Sequence, residues 1–282
     1  MLKKSKKLPY GYSLIELLVV IIISGIILGL ISNAFISFQK KVANDKNLQI
    51  LEAVHDEINR FLENNGHFPC PASLTDDMSS PNFGRQALDT CDSSSTVNGV
   101  FDTTGRSGRR IKLGAVPVRD LSLPDEYVAD VFGTRIFYAV SASMATEGRY
   151  DRLDGAITVI DINSNHITAE PGAAAFVIVS LGKNQTGGYQ SVTGSQIAGS
   201  CASLSRLEQE NCDNDNVFIS NISELNGSNY YDDKVIMPSM SKAIQAIPSR
   251  GIMYFDLEHC PSGWQDYYGA APPDHTVACI KI

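Results

Sequence analysis

The apolar positions of the chain follow two patterns, and the first ends near residue 65. An almost unbroken apolar run extends from Leu17 to Ile31, and apolar residues then recur every three or four positions as far as Phe61. That spacing places them on one face of a helix, which we predict from about Leu14 to Glu63. Such a helix is about 75 Å long, and Asn64-Asn65-Gly66 is a sequence that ends helices.

Beyond this helix the apolar residues form short β-branched and aromatic segments bounded by Gly, Pro, Asn and Asp. No helical pattern alternates with them, so an antiparallel sheet is favoured and the predicted class is α+β. Residues 73–110 are rich in Ser, Thr, Asp and Gly and predict a long loop. The predicted strands are Ile111–Val118, Arg135–Val140, Ala156–Asp161, Ala174–Leu181, Val217–Ser220, Val235–Met237, Ile252–Leu257 and Thr276–Ile282.

The N-terminal apolar run is long enough to cross a lipid bilayer. Extended over residues 14–38, it measures about 37 Å as a helix, against a hydrocarbon core of about 30 Å. Four lysines precede it, which favours a cytoplasmic N-terminus; they are Lys3, Lys4, Lys6 and Lys7. We therefore expect a single transmembrane segment over about residues 14–38, with the remainder of the chain across the membrane.

Glu16 is the one charged residue inside this run. A carboxylate in a lipid-facing helix is costly unless a partner neutralises it, and a simple anchor has no use for it. If the chain is cut after Gly11, the new terminal amine belongs to Tyr12, about one helical turn from Glu16. The amine of one subunit can then neutralise Glu16 of its neighbour, so that the pair fixes the stagger between packed helices.

This segment resembles the cleavage and methylation segment of type IV prepilins and type II secretion pseudopilins. The resemblance is carried by Lys6-Lys7-Leu8-Pro9-Tyr10-Gly11 followed by Tyr12-Ser13-Leu14-Ile15-Glu16-Leu17-Leu18-Val19-Val20. It implies that prepilin peptidase cuts after Gly11 and N-methylates Tyr12, where the family usually has Phe, and that Glu16 guides assembly. Gly25 and Gly29 form a G-x-x-x-G pattern, which suits close packing of such helices.

The resemblance further implies a minor pilin or pseudopilin-like subunit of a bacterial inner membrane, with a periplasmic or extracellular head. Its partners would be prepilin peptidase, other pilin or pseudopilin subunits and the inner-membrane assembly platform. The mature chain of 271 residues is large for a repeating major subunit, which favours a minor one. The alternatives are a tip adhesin that binds a surface or DNA, and an exported soluble enzyme cut near Ser32-Asn33-Ala34.

The net charge and the motif content argue against two classes of function, nucleic-acid binding and catalysis. The net charge is -8, and removing residues 1–11 lowers it to -12, which makes nucleic-acid binding unlikely because phosphate backbones need a basic surface. The chain has no nucleophile-elbow, phosphate-loop, dinucleotide or zinc-protease motif, so we expect no enzyme. The carboxylate pairs Asp76-Asp77 and Asp232-Asp233 stand in polar, turn-like stretches.

Six cysteines stand in three short-range pairs, which predicts disulfides if this part of the chain is exported. We favour neighbour pairing, as Cys70–Cys91, Cys201–Cys212 and Cys260–Cys279, although the sequence leaves all 15 connectivities open. The third bond would close a tail around Trp264, the only tryptophan. An exposed aromatic loop could act as a recognition tip, whereas a small core under the bridge is the simpler interpretation.

The segment Leu204–Asn216 combines acids and amides, which supply the oxygen ligands that Ca²⁺ prefers. Glu210, Asp213 and Asp215 are the candidate calcium ligands, although a complete EF-hand pattern is missing. No other cofactor is expected. The predicted organisation is a leader over 1–11, a pilin helix over 12–63, an α+β head over 64–250 and a Cys-bridged tail over 251–282.

Overall fold

The computed structural model describes most of the chain, and the backbone alone in five segments. The described residues are 14–87, 91, 97–151, 153–168, 172–221, 227, 230–238, 252–255, 264–266 and 277–281. Only the backbone is described for 26–34, 36–37, 252–255, 264–266 and 277–281. The chain divides into two compact units, Met1–Lys46 and Asn47–Ile282.

A single long helix, α1, extends over Leu14–Asn65. It ends because Gly66 takes a positive φ of 76°, which glycine tolerates at a helix C-terminus. The Gly66 N–H donates to the Leu62 carbonyl oxygen at 2.8 Å, and the Asn65 amide donates to the Phe61 carbonyl oxygen at 2.9 Å. The predicted helix is therefore confirmed to within two residues at its C-terminal end.

The predicted α+β class is confirmed, with a five-stranded antiparallel sheet at its centre. The sheet has the order β1-β2-β3-β5-β7, and each described pairing in it is antiparallel. The strands of the chain are β1 Phe101–Thr104, β2 Arg110–Ala115, β3 Phe137–Ser141, β4 Thr158–Ile160, β5 Phe176–Ser180, β6 Val217–Ile219, β7 Lys234–Ile236, β8 Ile252–Phe255, β9 Trp264–Asp266 and β10 Val277–Lys281.

Three features of the strands were not expected. Strand β1 lies inside the predicted loop 73–110, where polar residues concealed it. Strands β4 and β6 form a separate parallel pair, although the sequence favoured antiparallel pairing throughout. Strand β9 joins β8 and β10 in a three-stranded sheet of order β8-β10-β9. The eight predicted strands are all present, and most are shorter than predicted.

Two inner strands of the central sheet, β3 and β5, are buried on both faces. Every residue of β3 and β5 is buried, and alternate residues belong to two different hydrophobic clusters, as the two-residue period of a strand requires. Tyr138 and Phe176 lie in the cluster that includes one face of α1. Phe137 and Val177 lie in the opposite cluster, together with Val159 from β4. The helix residues of the first cluster are at most 2% exposed, and they are Leu51, Val54, Ile58 and Leu62.

A buried polar chain joins α1 to the sheet near the start of the second unit. The Asn47 amide donates to Ser180 Oγ at 3.0 Å, and Ser180 Oγ donates to Asp130 Oδ2 at 2.7 Å. Asp130 Oδ1 accepts from the N–H groups of Phe132 and Thr134. Burial raises the pKa of Asp130, and these hydrogen bonds oppose the increase. Since buried polar groups need partners, this chain favours a single position of the helix on the sheet.

Two of the predicted disulfides are present. Cys70 is bonded to Cys91 and Cys201 to Cys212. The predicted Cys260–Cys279 bond lies outside the described residues, because Cys260 is not described and only the backbone of Cys279 is. The residues between Cys201 and Cys212 include a one-turn helix over Arg206–Gln209, with Ser205 Oγ accepting from the Glu208 N–H at its start.

We predict that Ser180→Ala lowers the free energy of unfolding by about 1–3 kcal/mol. The substitution leaves the Asn47 amide and Asp130 Oδ2 without the hydroxyl that joins them, and both residues are buried. Urea denaturation of the purified chain, followed by circular dichroism, measures the change.

Ser143→Ala is the matched control for this prediction. Ser143 Oγ is also a buried hydroxyl oxygen, but it has no hydrogen-bond partner among the residues whose positions are described. Its removal should therefore cost less than about 0.5 kcal/mol. Equal losses in the two variants would contradict a special role for the Asn47–Ser180–Asp130 chain.

Candidate functional site

The candidate assembly residue Glu16 lies in the first turn of α1. Its side chain is exposed, and a carboxylate there interacts favourably with the positive end of the helix dipole. Gly11 and Tyr12, the predicted cleavage and methylation residues, lie outside the described residues. The structure therefore describes the predicted assembly residue but neither processing residue, and the relation of Glu16 to a mature N-terminus stays a prediction.

The helix around Glu16 presents apolar side chains on all sides. From Leu14 to Ile23 every residue except Glu16 is aliphatic, and their exposure ranges from 47% at Val19 to 83% at Leu14. A helix that is apolar all round is normally buried in protein or lipid, and contiguous apolar surface of this kind marks an interaction site. This segment therefore has a surface suited to contact with other helices or with hydrocarbon.

The two glycines of the predicted packing pattern are described to different extents. A Cβ added at Gly25 would have no neighbour within 4 Å among the atoms that the structure describes. Only the backbone is described at Gly29. The proposed close packing of helices at these two glycines stays a prediction.

No helix in the described part of the chain is both long and apolar enough to cross a membrane. The expected transmembrane segment over about residues 14–38 is therefore not confirmed and stays a prediction.

The candidate calcium ligands Glu210, Asp213 and Asp215 do come together. One carboxylate oxygen from each lies within 4.8 Å of the others. Burial, followed by the charges of Asp215 and Glu210, raises the pKa of Asp213 to about 6. However, two of these acids also serve as local turn residues, since Asp213 Oδ1 accepts from the Asp215 N–H at 3.4 Å and Asp215 Oδ1 from the Val217 N–H at 2.6 Å.

A second acidic cluster was missed by the sequence analysis. Glu208, Asp232 and Asp233 are at most 8% exposed, and one carboxylate oxygen from each lies within 4.8 Å of the others. Asp232 and Asp233 are therefore buried, although the sequence places them in a polar, turn-like stretch. The two aspartates directly precede β7, and the fold brings them beside Glu208, which is 24 positions away from Asp232 along the chain.

The other carboxylate pair singled out in the sequence, Asp76-Asp77, is divided between two environments. Burial raises the pKa of Asp76. Asp77 Oδ1 accepts from the Ser79 hydroxyl and from the N–H groups of Ser79 and Ser80, which lowers the pKa of Asp77. Asp77 therefore begins a turn, whereas Asp76 is partly buried near Arg135. Trp264 begins β9, where only the backbone is described, so the proposed aromatic recognition tip stays a prediction.

The comparisons with known proteins identify the N-terminal segment. Residues 8–32 match the family model of the prokaryotic N-terminal methylation motif, which defines type IV prepilin-like proteins. The predicted resemblance is thereby confirmed over this segment. No curated protein and no solved structure matched the chain.

We predict that removing the Cys201–Cys212 bond lowers the free energy of unfolding by about 2–3 kcal/mol. Its closed loop is short, with a sequence separation of 11, and loop-closure entropy for that length gives this magnitude. The variant is Cys201→Ala with Cys212→Ala, and urea denaturation of the purified chain measures the difference.

The double variant Cys70→Ala with Cys91→Ala provides the comparison, because its longer separation of 21 predicts a slightly larger loss. Peptide mapping without reduction should recover each pair as a linked fragment. A Cys201/Cys212 variant as stable as the parent chain would show that this bond does not constrain the unfolded state.

Proposed function

We propose that this protein is a minor pilin or pseudopilin-like subunit that enters a type IV pilus or a type II secretion-like filament through its N-terminal helix. The main support for this proposal is the methylation motif at residues 8–32, which includes the exposed apolar start of α1. The motif implies processing by prepilin peptidase and association with other pilin subunits. A structural role suits this arrangement better than catalysis does.

The first proposed step is insertion into the inner membrane, with the four N-terminal lysines on the cytoplasmic side and the head on the periplasmic side. Support comes from the aliphatic side chains of residues 14–23, which are exposed to solvent in the isolated chain. Transferring apolar surface of this extent from water to hydrocarbon is favourable by about 25 cal/mol per Å². The same surface would later be buried between helices in the filament core.

The second proposed step is cleavage after Gly11, followed by N-methylation of Tyr12. Cleavage removes the lysine-rich leader and creates an amine that is about one turn from Glu16. The third step is helix bundling, in which the amine of one subunit neutralises Glu16 of another. An unpaired charge in the apolar filament core is strongly disfavoured, so incorrectly staggered neighbours are rejected.

Retention of the leader is expected in a Gly11→Val variant expressed with prepilin peptidase. The bulkier side chain stands at the proposed cleavage position, and intact-mass spectrometry should find residues 1–11 still attached. The parent chain should begin at N-methyl-Tyr12.

Gly25→Ala is the control for this cleavage experiment. It lies within the same matched segment, and the structure has room for its added methyl group. It should be cut and methylated as in the parent chain. A parent chain that keeps its lysines, or that begins near Phe35, would refute the proposed processing.

Glu16→Gln should reduce the amount of protein in isolated filaments at least tenfold. Breaking an ion pair in an apolar environment by removing one partner costs about 3–5 kcal/mol, and a tenfold change corresponds to about 1.4 kcal/mol. Quantitative immunoblotting of sheared or cross-linked filaments, normalised to total membrane protein, measures incorporation.

Glu52→Gln makes the same change of charge on the same helix. Glu52 is exposed and lies in the second unit, where the proposal assigns it no role in helix bundling. It should enter filaments normally. If Glu16→Gln enters filaments as well as Glu52→Gln does, the proposed charge pairing fails.

A further inference from the structure

The buried carboxylates Glu208, Asp232 and Asp233 form an acidic pocket in the head, remote in sequence from the methylation motif. Their exposed fractions are 2%, 8% and 1%. Glu208 comes from the one-turn helix Arg206–Gln209, and the two aspartates come from the segment that enters β7. Carboxylates are almost never fully buried unless they are paired or bind a metal, so this cluster requires an explanation.

The hydrogen bonds of the cluster leave one oxygen without a partner. Glu208 Oε1 accepts from the Asp232 N–H at 3.1 Å, and Glu208 Oε2 accepts from the Asn184 amide at 2.6 Å. Asp232 Oδ2 accepts from the Lys183 N–H at 3.0 Å and from the Tyr230 hydroxyl at 2.6 Å. Asp232 Oδ1 is buried and accepts no hydrogen bond from any residue that the structure describes.

The residue beside this oxygen is a glycine, which leaves space for it. Gly182 lies just after β5, and a Cβ at this position would collide with Asp232 Oδ1. The φ of Gly182 is +64°, which also favours glycine there. The unpartnered oxygen is therefore accommodated by the fold, although a buried acceptor without a donor costs about 1–3 kcal/mol.

The third acid, Asp233, is held by an oriented amide. The Asn211 amide nitrogen donates to Asp233 Oδ2 at 2.9 Å, and Asn211 Oδ1 accepts from the Ile219 N–H at 2.8 Å. Asn211 directly precedes Cys212, whose bond to Cys201 closes this loop. The Asn211 amide group is therefore oriented toward Asp233 by its second hydrogen bond, to the Ile219 N–H.

Three carboxylates are buried close together, an arrangement that disfavours their charged forms. Burial raises the pKa of Glu208 to about 7, and the Asp232 charge contributes to the increase. Burial also raises the pKa of Asp233 well above its usual value, and the charges of Glu208 and Asp232 add to this effect while Lys234 opposes it. A cation at the centre of the cluster would offset the free-energy cost of burying these carboxylate charges.

We propose that Glu208, Asp232 and Asp233 bind a divalent cation, Ca²⁺, inside the head. All three donors are carboxylate oxygens, and the set contains no nitrogen or sulfur that would select a transition metal. Ca²⁺ accepts such oxygens at about 2.3–2.6 Å, so two ligands on opposite sides of the ion stand about 4.8 Å apart. The three oxygens lie within 4.8 Å of one another.

This assignment differs from the calcium site expected from the sequence. In the cluster of Glu210, Asp213 and Asp215, Asp213 is exposed, and turn hydrogen bonds already engage carboxylate oxygens of Asp213 and Asp215. In the buried cluster an oxygen is left unpartnered instead. Mg²⁺ fits less well because it prefers strict octahedral geometry at about 2.0–2.1 Å and retains several waters.

Calorimetry on the purified full chain tests the proposal. After EDTA treatment and its removal, titration with CaCl₂ should show one binding event, and saturating Ca²⁺ should raise the midpoint of thermal unfolding by at least 5 °C. MgCl₂ should bind at least tenfold more weakly. The absence of any Ca²⁺ binding would overturn the proposal and leave a shared proton as the means of holding the acids together.

Two matched variants locate the ion. Asp233→Asn should weaken Ca²⁺ binding at least tenfold, whereas Asp213→Asn, with the same change of charge in the other cluster, should bind within twofold of the parent chain. The reverse pattern would overturn the proposal in favour of the exposed cluster. If Asp233→Asn does not fold, Asp232→Asn takes its place, and native mass spectrometry of the parent chain tests for one bound calcium without any substitution.

Discussion

The structure of the head depends on the packing of one face of α1 against the central sheet. Leu51, Val54, Ile58 and Leu62 are nearly inaccessible to solvent, and they share a cluster with residues of β3 and β5. The Asn47–Ser180–Asp130 hydrogen bonds add direction to this contact, because apolar packing alone tolerates small shifts. The helix is thus a core element of the second unit, and its first residues carry exposed aliphatic side chains.

Much of this fold follows from local sequence pattern. The three-to-four-residue spacing that ends at Phe61 located α1, and Asn65-Gly66 marked its end because glycine readily adopts a positive φ. The eight apolar strands could be predicted because each is a short β-branched or aromatic segment bounded by turn residues. Strand β1 was not, since Phe101-Asp102-Thr103-Thr104 is mostly polar and owes its conformation to pairing with β2. The parallel pairing of β4 with β6 depends on chain topology, which no local pattern records.

The candidate sites also differ in whether local sequence pattern could predict them. Glu16 is conspicuous in the sequence because it interrupts an aliphatic run, so the residues next to it are enough to single it out. The pocket of Glu208, Asp232 and Asp233 has no such signal. Each of its members stands in a polar segment, and only folding across more than twenty positions reveals that they are buried together. The unpartnered Asp232 oxygen is likewise a property of three-dimensional packing, which a linear pattern of acids cannot express.

The outer strands of the central sheet limit how heads can associate. Within the part of the chain that the structure describes, the sheet ends at β1 with four residues and at β7 with three. Arg110 and Lys112 of β2 both approach Asp102 on β1, so charged groups lie beside one of these borders. Short, charged borders discourage strand addition from a second molecule. A second head would therefore not readily extend the central sheet at its β1 border.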